Sequence, residues 1–486
     1  MWRIGDNPPM MLDPDSCYRA LSTHDPRFDG HFFVGVRSTR VYCRPVCTVR
    51  LPKRENCRFY PSAPAAERDG FRPCLRCRPE LAPGFAAVDA SGRIVQAAVT
   101  MMDDGFLEER SLEMLAGRIG VTSRHLRRVF EAELGVSPVE YAQTQRLLLA
   151  KRLLTDTALP VTEVAFASGF SSVRRLNALF SERYRMPPSR LRVAGATKRD
   201  VLTFALAYRS PYAWDAMLAF LGFRAIAGVE HCERRRFRRT LALSHRGQRH
   251  AGWIQVAQLR GKSALSVQVS RSLSRVVPQV LARVRHVFDI ACDPVEVSRA
   301  LGSLAAATPG LRVPGGFDGL EIGVRAIVGQ QISVRAMVTL LGRIAARYGT
   351  PLEEAPAGLS VTFPDATTLA SARVEDVAAL GMPKARARTI VSLAQAVAGG
   401  LDLSPHVDTE SALARLQQIP GIGPWTAQYI ALRGLGWPDA FLPTDLGVKR
   451  ALGETSEKRI LARAERWRPW RAYAVIHLWI GNREPS

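Results

Sequence analysis

Four cysteines near the start of the chain place the tightest constraint on its fold. Cys43 and Cys47 form a C-x3-C pair, and Cys74 and Cys77 form a C-x2-C pair 26 residues further on. Cysteine pairs at such spacings are typical of a tetrahedral zinc site. We therefore predict one Zn²⁺ per chain, bound by these four side chains, in a small module over residues 1–85. Metal binding supplies much of the folding energy of such a module.

The charge of the chain indicates a polyanionic partner. Lys and Arg number 67 against 44 Asp and Glu among 486 residues, which gives a net charge of +23. The excess is +9 over residues 1–200 and +14 over residues 201–486, as expected when both halves contact nucleic acid. A generally arginine-rich composition is the alternative for the charge alone. A hydrophobic content of 47% supports buried cores and argues against a disordered chain.

The sequence also indicates the cellular compartment of the chain. The first 15 residues contain no stretch that resembles a signal peptide, and no run of 18 uncharged apolar residues occurs. The eight cysteines do not form a disulfide scaffold, since four of them have zinc spacing. We expect a cytoplasmic, nucleoid-associated bacterial protein that is monomeric and has no membrane partner.

An internal repeat lies in the helical region over residues 91–192. Segments 111–130 and 161–180 each read as a helix, a glycine turn and a second helix opened by Ser or Thr. This repeat resembles the double helix-turn-helix domain of AraC-type regulators. The resemblance implies binding to double-stranded DNA through the second helices. Their candidate DNA-contacting side chains are Arg124, Arg127, Arg128, Arg174, Arg175 and Asn177. An ordinary helical bundle with solvated arginines is the alternative.

The remaining sequence predicts a multidomain α+β chain. Residues 193–200 read as a linker, strand-like and helical stretches alternate over 201–290, and 291–486 reads as helical. We therefore expect four domains. They are a zinc module (1–85), a double helix-turn-helix domain (91–192), a small α+β lobe (201–290) and all-α lobes with a helix-hairpin-helix (291–486).

The cysteine motifs resemble a specific family. Segments 42–47 (Tyr-Cys-Arg-Pro-Val-Cys), 54–56 (Arg-Glu-Asn) and 71–77 (Phe-Arg-Pro-Cys-Leu-Arg-Cys) are similar to the N-terminal domain of the Ada adaptive-response family. In that family the first cysteine is both zinc ligand and acceptor of a methyl group from a DNA methylphosphotriester. The resemblance implies that Cys43 has this role, which spacing alone does not assign. Zinc keeps a thiol as the nucleophilic thiolate. Methylation removes one negative charge, which favours tighter DNA binding.

A second DNA-binding signature lies in the C-terminal part. Segment 416–428 contains a Pro-Gly-Ile-Gly turn, in which Gly421 and Gly423 let backbone amides approach a DNA phosphate. Asp445 follows in segment 441–450. This order resembles the helix-hairpin-helix base-excision DNA glycosylases, and the resemblance implies that Asp445 is the catalytic residue. A helix-capping role is the alternative for Asp445.

The type of glycosylase is narrowed by further residues. Bifunctional relatives carry a Schiff-base lysine where this chain has Trp425, and no cysteine follows Cys292 to bind an iron–sulfur cluster. Several segments, including 212–214 and 325–330, are similar to the AlkA 3-methyladenine glycosylase family. That resemblance implies a monofunctional enzyme of the DNA-3-methyladenine glycosylase II type. The aromatic faces of Trp425, Tyr429 and Trp479 would bind the flipped cationic base, with core packing as the alternative. Gln331 stands where the family inserts a leucine wedge into the duplex.

Together these resemblances imply one chain with two functions in DNA alkylation repair. The N-terminal half would accept a methyl group irreversibly on Cys43 and activate transcription, with RNA polymerase as a partner. The C-terminal half would excise N3- and N7-alkylated bases. No Pro-Cys-His-Arg tetrapeptide occurs, so we do not expect O6-alkylguanine transfer. Two alternatives stay open. One is a transcription regulator with an inactive glycosylase half, and the other is a glycosylase for oxidised or deaminated bases.

Overall fold

The computed structural model describes residues 13–83, 90–191, 201–405 and 407–481, without the side chains of 90–93 and 109. The expected linker over 193–200 lies outside the described residues. The chain divides into two compact units, residues 1–199 with 205–209 and residues 200–204 with 210–486. The finer division into four domains stays a prediction.

A small four-stranded sheet forms the first part of the first unit. The strand order is β3-β1-β2-β4, with β1 antiparallel to β2 and β3, and β2 parallel to β4. Because β2 ends at Cys43 and β4 leads directly into Cys74, this pairing brings the two cysteine motifs together. The elements of this part are α1 (Pro14–Ser22), β1 (Phe33–Val36), β2 (Val41–Cys43), β3 (Cys57–Tyr60), α2 (Ala63–Arg68) and β4 (Arg72–Pro73).

The rest of the first unit is helical and contains the two predicted helix-turn-helix motifs. Thr122 and Ser172 cap the second helix of each motif, accepting backbone N–H groups at 3.2 Å. Gly120 and Gly169 adopt φ of 83° and 80° in the two turns, which a residue with a side chain would adopt only with strain. The helices are α3 (Ala90–Asp103), α4 (Phe106–Glu109), α5 (Leu112–Ile119), α6 (Ser123–Leu134), α7 (Pro138–Asp156), α8 (Val161–Ala167) and α9 (Val173–Tyr184).

The second unit begins with a five-stranded sheet of order β5-β9-β8-β7-β6. The long strands β7 and β8 pair antiparallel in register over their whole length, with Thr240 opposite Trp253. Alternating burial along β8 and β9 gives the sheet one apolar face. The elements are β5 (Val201–Ala207), α10 (Trp214–Gly222), β6 (Glu230–Glu233), β7 (Arg236–His245), β8 (Gln248–Gln258) and β9 (Ala264–Ser270).

Helices make up the remainder of the second unit. They are α11 (Val277–Val287), α12 (Pro294–Leu301), α13 (Ser303–Ala306), α14 (Gly319–Val328), α15 (Val334–Tyr348), α16 (Ala366–Ala370), α17 (Val374–Ala378), α18 (Lys384–Ala398), α19 (Thr409–Gln417), α20 (Pro424–Arg433), α21 (Leu446–Leu452), α22 (Glu457–Ala464) and α23 (Arg471–Gly481). The predicted α+β arrangement, with helices throughout the C-terminal region, is confirmed.

A buried ion network joins the sheet to helix α14. Arg239 on β7 contacts Glu230 and Glu321, and Arg325 contacts the same two carboxylates at 2.6 and 2.8 Å. All four side chains are almost fully buried. Removing one partner would leave an uncompensated buried charge, so the network holds α14 in a fixed position on the sheet.

Within the described parts of the chain, no helix combines the length and the apolar character that a membrane crossing requires.

Candidate functional sites

The four predicted zinc ligands come together in the first unit. The Sγ atoms of Cys43, Cys47, Cys74 and Cys77 all lie within 4.8 Å of one another. Tetrahedral coordination by four thiolates at about 2.3 Å from the metal needs sulfur atoms separated by roughly 3.8 Å. The donor set and its compactness therefore fit one zinc ion.

Surrounding groups fix the geometry of this cluster. The backbone N–H of Arg44 donates to Cys77 Sγ at 3.4 Å, and the Arg44 guanidinium donates to the Cys77 carbonyl at 3.1 Å. The same guanidinium forms a buried ion pair with Asp29. Such N–H···S contacts stabilise thiolates without displacing a metal. Arg44 therefore supports the side of the cluster that contains Cys77.

The four thiols differ in exposure. Cys43, Cys47 and Cys74 are buried, whereas Cys77 is partly exposed. Leu75, which lies between two of the ligands, is half exposed. The cysteine that the family resemblance assigns as methyl acceptor, Cys43, is thus not the most exposed of the four.

The predicted DNA-reading side chains lie on exposed faces of α6 and α9. Arg124, Arg127 and Arg128 project from α6, and Arg174, Arg175 and Asn177 project from α9, each of them exposed. The opposite faces of both helices are buried, through Leu126 and Phe130 on α6 and through the equivalent Leu176 and Phe180 on α9. The structure therefore places these six polar side chains where DNA has access to them.

The predicted helix-hairpin-helix is the turn between α19 and α20. Gly421 has a φ of 92°, and a Cβ there would lie 2.1 Å from Thr389 Oγ1. Gly423 caps the N-terminus of α20 at an ordinary φ of −89°, and a Cβ there would meet nothing within 4 Å. The fold therefore requires glycine at 421 but not at 423. The space that a side chain at 423 would enter, at the N-terminus of α20, is open.

Asp445 lies at the N-terminus of α21 and accepts three hydrogen bonds. Trp479 Nε1–H donates to Oδ1 at 2.8 Å, and Trp425 Nε1–H donates to Oδ2 at 3.0 Å. The backbone N–H of Val448 also donates to Oδ1 at 3.0 Å, so Asp445 caps the helix as well. A carboxylate has about four acceptor positions. Among the described residues one of them, on Oδ2, has no donor.

The three predicted base-pocket aromatics lie in a row beside Asp445. The rings of Trp425 and Tyr429 are 5.4 Å apart at 27°, and those of Tyr429 and Trp479 are 6.1 Å apart at 36°. Trp425 and Trp479 are partly exposed, whereas Tyr429 is buried. Burial alone would raise the pKa of the Tyr429 hydroxyl, but the charges of Arg433 and Arg224 outweigh it and lower that pKa. Because Tyr429 is buried and contacts both tryptophans, it supports their rings, and the tryptophan rings are the accessible ones.

Two residues of this site were not predicted from the sequence. Phe220 on α10 stacks on Trp479 at 6.3 Å and 15°, which adds a fourth ring to the row. Gln330 Nε2 donates to the Gly421 carbonyl and to Thr426 Oγ1, both at 3.0 Å. The contact between Phe220 and Trp479 could not be predicted because the two residues are far apart in the chain. Gln330 has no distinctive sequence signal of its own.

Gln331 lies in the loop that Gln330 ties to the hairpin. The Arg386 guanidinium donates to the Gln330 carbonyl at 2.7 Å and holds the loop from a second side. Gln331 itself is exposed and has a φ of 57°, a conformation that residues other than glycine adopt rarely. The surrounding contacts thus present the Gln331 side chain to solvent beside the hairpin.

Four family models match successive parts of the chain. Residues 16–80 match the metal binding domain of Ada, and residues 115–194 match a helix-turn-helix domain. Residues 203–318 match the AlkA N-terminal domain, and residues 324–469 match the HhH-GPD superfamily base excision DNA repair protein. The predicted resemblances are confirmed, and the Ada match together with the compact cysteine cluster confirms that the chain binds zinc.

Similar proteins cover both single parts and the whole chain. A Mycobacterium tuberculosis protein named "Probable bifunctional transcriptional activator/DNA repair enzyme AlkA" is 37% identical, over 97% of each chain. DNA-3-methyladenine glycosylase 2 of Escherichia coli is 39% identical over 57% of this chain and 96% of its own length. A solved 3-methyladenine DNA-glycosylase from Archaeoglobus fulgidus has a TM-score of 0.50 at 22% identity, covering 57% of this chain and 97% of that one. This last similarity shows the fold.

Proposed function

Because the chain belongs to the family of bifunctional transcriptional activators and DNA repair enzymes, and so is a DNA glycosylase that acts in alkylation repair and its regulation, we propose which residues carry the two activities. Cys43 accepts a methyl group from a DNA methylphosphotriester, and Asp445 drives excision of N3- and N7-alkylated purines. The observation that supports the second assignment best is the pair of indole N–H groups that fix both oxygens of Asp445.

Methyl transfer would proceed by in-line displacement at the methyl carbon. Zinc, when bound, keeps the four thiols ionised at neutral pH. Cys43 Sγ forms the new S–C bond, the C–O bond of the triester breaks, and the phosphate oxygen leaves with the electron pair as an ordinary phosphodiester. The thioether is inert, so each chain reacts once. The site then has one negative charge fewer, which favours binding to DNA phosphates.

The exposure of Cys77 makes this cysteine the alternative candidate for the methyl acceptor. Cys77 is the only ligand of the four that is partly exposed, whereas the resemblance assigns the reaction to Cys43. Cys77 Sγ already accepts the Arg44 N–H at 3.4 Å, which lowers the nucleophilicity of that sulfur. Peptide mass mapping after exposure of the zinc-loaded chain to methylated DNA decides between the two sulfurs. We expect one methyl group on Cys43, and a methyl group on Cys77 would refute the assignment.

Excision would depend on a negative charge that stabilises the transition state, and it would not need a general acid that protonates the leaving base. An N3- or N7-alkylated purine is cationic, so the N-glycosidic electron pair leaves with the base without prior protonation. The sugar develops positive charge, which the carboxylate of Asp445 stabilises. Water then adds to the anomeric carbon, and the open acceptor position on Asp445 Oδ2 takes its proton. The two partly exposed indoles beside Asp445 offer cation–π faces to the flipped base, worth about 0.5–2 kcal/mol each.

DNA binding in the second unit would centre on the hairpin. The open space beside Gly423, at the N-terminus of α20, would let a phosphate oxygen approach the N-terminal amides of that helix. Gln331 projects beside it and would fill the gap that the flipped nucleotide leaves. In the first unit, the arginines of α6 and α9 would contact base edges and phosphates in the major groove.

Excision assays on single-lesion duplexes test the enzymatic proposal against its two alternatives. We expect release of N3-methyladenine and N7-methylguanine and no borohydride cross-link, since Trp425 stands at the lysine position. Faster release of 8-oxoguanine or hypoxanthine would favour a glycosylase for oxidised or deaminated bases. No release from any of these duplexes, with DNA binding retained, would favour a regulator with an inactive glycosylase half.

The partners of the regulatory half complete the proposal. A transcriptional activator that binds promoter DNA acts through RNA polymerase, and we propose that this chain does so as a monomer on nucleoid DNA in the bacterial cytoplasm. Sedimentation of the methylated chain with promoter DNA and polymerase tests both points, because a monomeric activator gives a one-to-one complex.

A further inference from the structure

Helix α2 of the zinc module lies against the C-terminal ends of both recognition helices, α6 and α9. Ser62, which caps α2, donates its hydroxyl to the Leu134 carbonyl at the end of α6, at 2.6 Å. Arg68 at the other end of α2 pairs with Glu131 of α6 at 2.8 Å. Tyr184, the last residue of α9, donates its hydroxyl to Glu67 Oε1 of α2 at 3.4 Å. One short helix therefore contacts both DNA-reading elements of the first unit.

The same glutamate contacts the strand that carries Cys43. Tyr42, which immediately precedes Cys43 on β2, donates its hydroxyl to Glu67 Oε1 at 3.0 Å. Thr144 on α7 donates to the other oxygen at 3.4 Å. Glu67, Tyr42, Tyr184 and Thr144 are all at most 3% exposed. Three buried hydroxyls from three elements thus meet on one carboxyl group.

We propose that Glu67 is the joint through which the methylation state of Cys43 reaches the recognition helices. This inference rests on the proposed role of Cys43 and adds a mechanical route to the electrostatic one. Cys43 is only 5% exposed, so an added methyl group must displace its surroundings. Tyr42 shifts with the strand, and its buried hydroxyl keeps its acceptor because a buried donor without a partner is costly. Glu67 then moves with Tyr42, and α2 moves with Glu67.

The two recognition helices would receive this displacement through different contacts. The hydrogen bond from α9 to Glu67 is made by the Tyr184 hydroxyl, and the charge of Arg183 on the same helix also acts on Glu67. The contacts to α6 are made by Ser62 and Arg68 and do not involve that hydroxyl. Each recognition helix would read one half-site of the DNA. Removing the Tyr184 hydroxyl should therefore weaken the effect of Cys43 methylation on binding at the half-site of α9 and leave its effect at the half-site of α6 unchanged. A purely electrostatic switch predicts no such difference between half-sites.

The test uses the full, zinc-loaded chain and a Tyr184→Phe variant. The probe is a DNA fragment selected from a random-sequence pool by the methylated wild-type chain. Affinity and hydroxyl-radical footprints are measured before and after methylation of Cys43. In the wild type we expect a gain in affinity of about tenfold, a typical coupling between two sites. In Tyr184→Phe we expect part of that gain to be lost, with methylation strengthening protection of the half-site read by α9 less than that of the half-site read by α6.

Tyr60→Phe is the matched control. Tyr60 is also a buried tyrosine of the zinc module whose hydroxyl donates to a carboxylate, Asp69, at 2.9 Å, but that contact stays within the module. This variant should keep the full gain. Tyr42→Phe, which removes the hydrogen bond between Glu67 and the strand of Cys43, should reduce the gain equally at both half-sites and serves if Tyr184→Phe fails to fold.

The outcomes separate this inference from the proposed function. A wild-type chain that is not methylated on Cys43, or gains no affinity when it is, contradicts the proposed function itself. If the wild type, Tyr184→Phe and Tyr42→Phe all gain the same affinity, the proposed role of Glu67 is refuted and the proposed function is not. Equal losses in Tyr60→Phe and Tyr184→Phe would also refute it, because the effect would then be a general loss of stability.

Discussion

Replacing Asp445 by asparagine separates the catalytic role of this side chain from its role as a helix cap. Asparagine caps a helix about as well as aspartate, so the hydrogen bond from Val448 N–H at 3.0 Å can persist. The charge is lost. For a carboxylate about 4 Å from the developing cation at an effective dielectric constant near 20, the interaction is worth about 4 kcal/mol. At about 1.4 kcal/mol per factor of ten, excision should slow by roughly 10³.

The structure predicts a second effect of the same substitution. Both oxygens of Asp445 accept an indole N–H, from Trp479 at 2.8 Å and from Trp425 at 3.0 Å. Asparagine has one oxygen, so its NH₂ group must face one of these donors. An unsatisfied donor in a partly buried site costs about 1–3 kcal/mol. Asp445→Asn should therefore lower the free energy of unfolding of the second unit by that amount. In a Trp425→Phe background, where the donor to Oδ2 is absent, most of this cost should disappear.

Single-turnover excision of N3-methyladenine and denaturant unfolding measure the two effects. Duplex affinity should change little, because the hairpin amides and basic side chains are untouched. Near-normal excision by Asp445→Asn would show that Asp445 only caps α21. An equal cost in stability with and without Trp425 would show that the two indole hydrogen bonds do not fix the carboxylate.

Three further predictions concern the metal, the buried glutamate and the hairpin. A Cys74→Ser/Cys77→Ser variant should lose its zinc and unfold the zinc module, as measured by metal analysis and limited proteolysis, and retained zinc would contradict the ligand assignment. Burial raises the pKa of Glu67 to about 7 from 4.5. The folded state therefore holds a proton that the unfolded chain has already released, and stability falls as pH rises between these values. Relative to Glu67→Gln, the wild type should lose about 3 kcal/mol of unfolding free energy from pH 4.5 to 7, and parallel curves for the two proteins would refute this. Gly423→Ala should fold normally and weaken DNA binding, whereas Gly421→Ala should destabilise the fold, since its φ is 92° and its Cβ would lie 2.1 Å from Thr389 Oγ1; equal melting temperatures of the two variants would contradict the argument.

The structural features that could be predicted from the sequence are local ones. Cysteine spacing, the capped repeat and the Pro-Gly-Ile-Gly turn each specify a short structure whose geometry follows from the residues within it. The structure accordingly places Thr122 and Ser172 as caps and Gly421 at a positive φ. Arginines on the outer faces of α6 and α9 follow from the same helical periodicity.

The contacts that could not be predicted join residues far apart in the chain. Trp425 and Trp479 were expected to contribute aromatic faces, yet their N–H groups donate to Asp445 from two different helices. Phe220 reaches Trp479 from the sheet-containing part of the second unit. Glu67 meets hydroxyls from three elements, and nothing in its own segment indicates a buried carboxyl. Tertiary packing decides these contacts, and one sequence contains no local signal for them.

The central claim, two chemistries of different stoichiometry in one chain, is tested most directly by counting both products in one reaction. The zinc-loaded chain is incubated with an excess of DNA that carries methylphosphotriesters and N3-methyladenine. Methyl groups on the protein are counted by peptide mass mapping, and free base is counted by chromatography. We predict that protein methylation stops at one group per chain, on Cys43, while free base continues to accumulate well beyond one per chain. Methylation at several cysteines, or base release that stops at one per chain, would contradict the account.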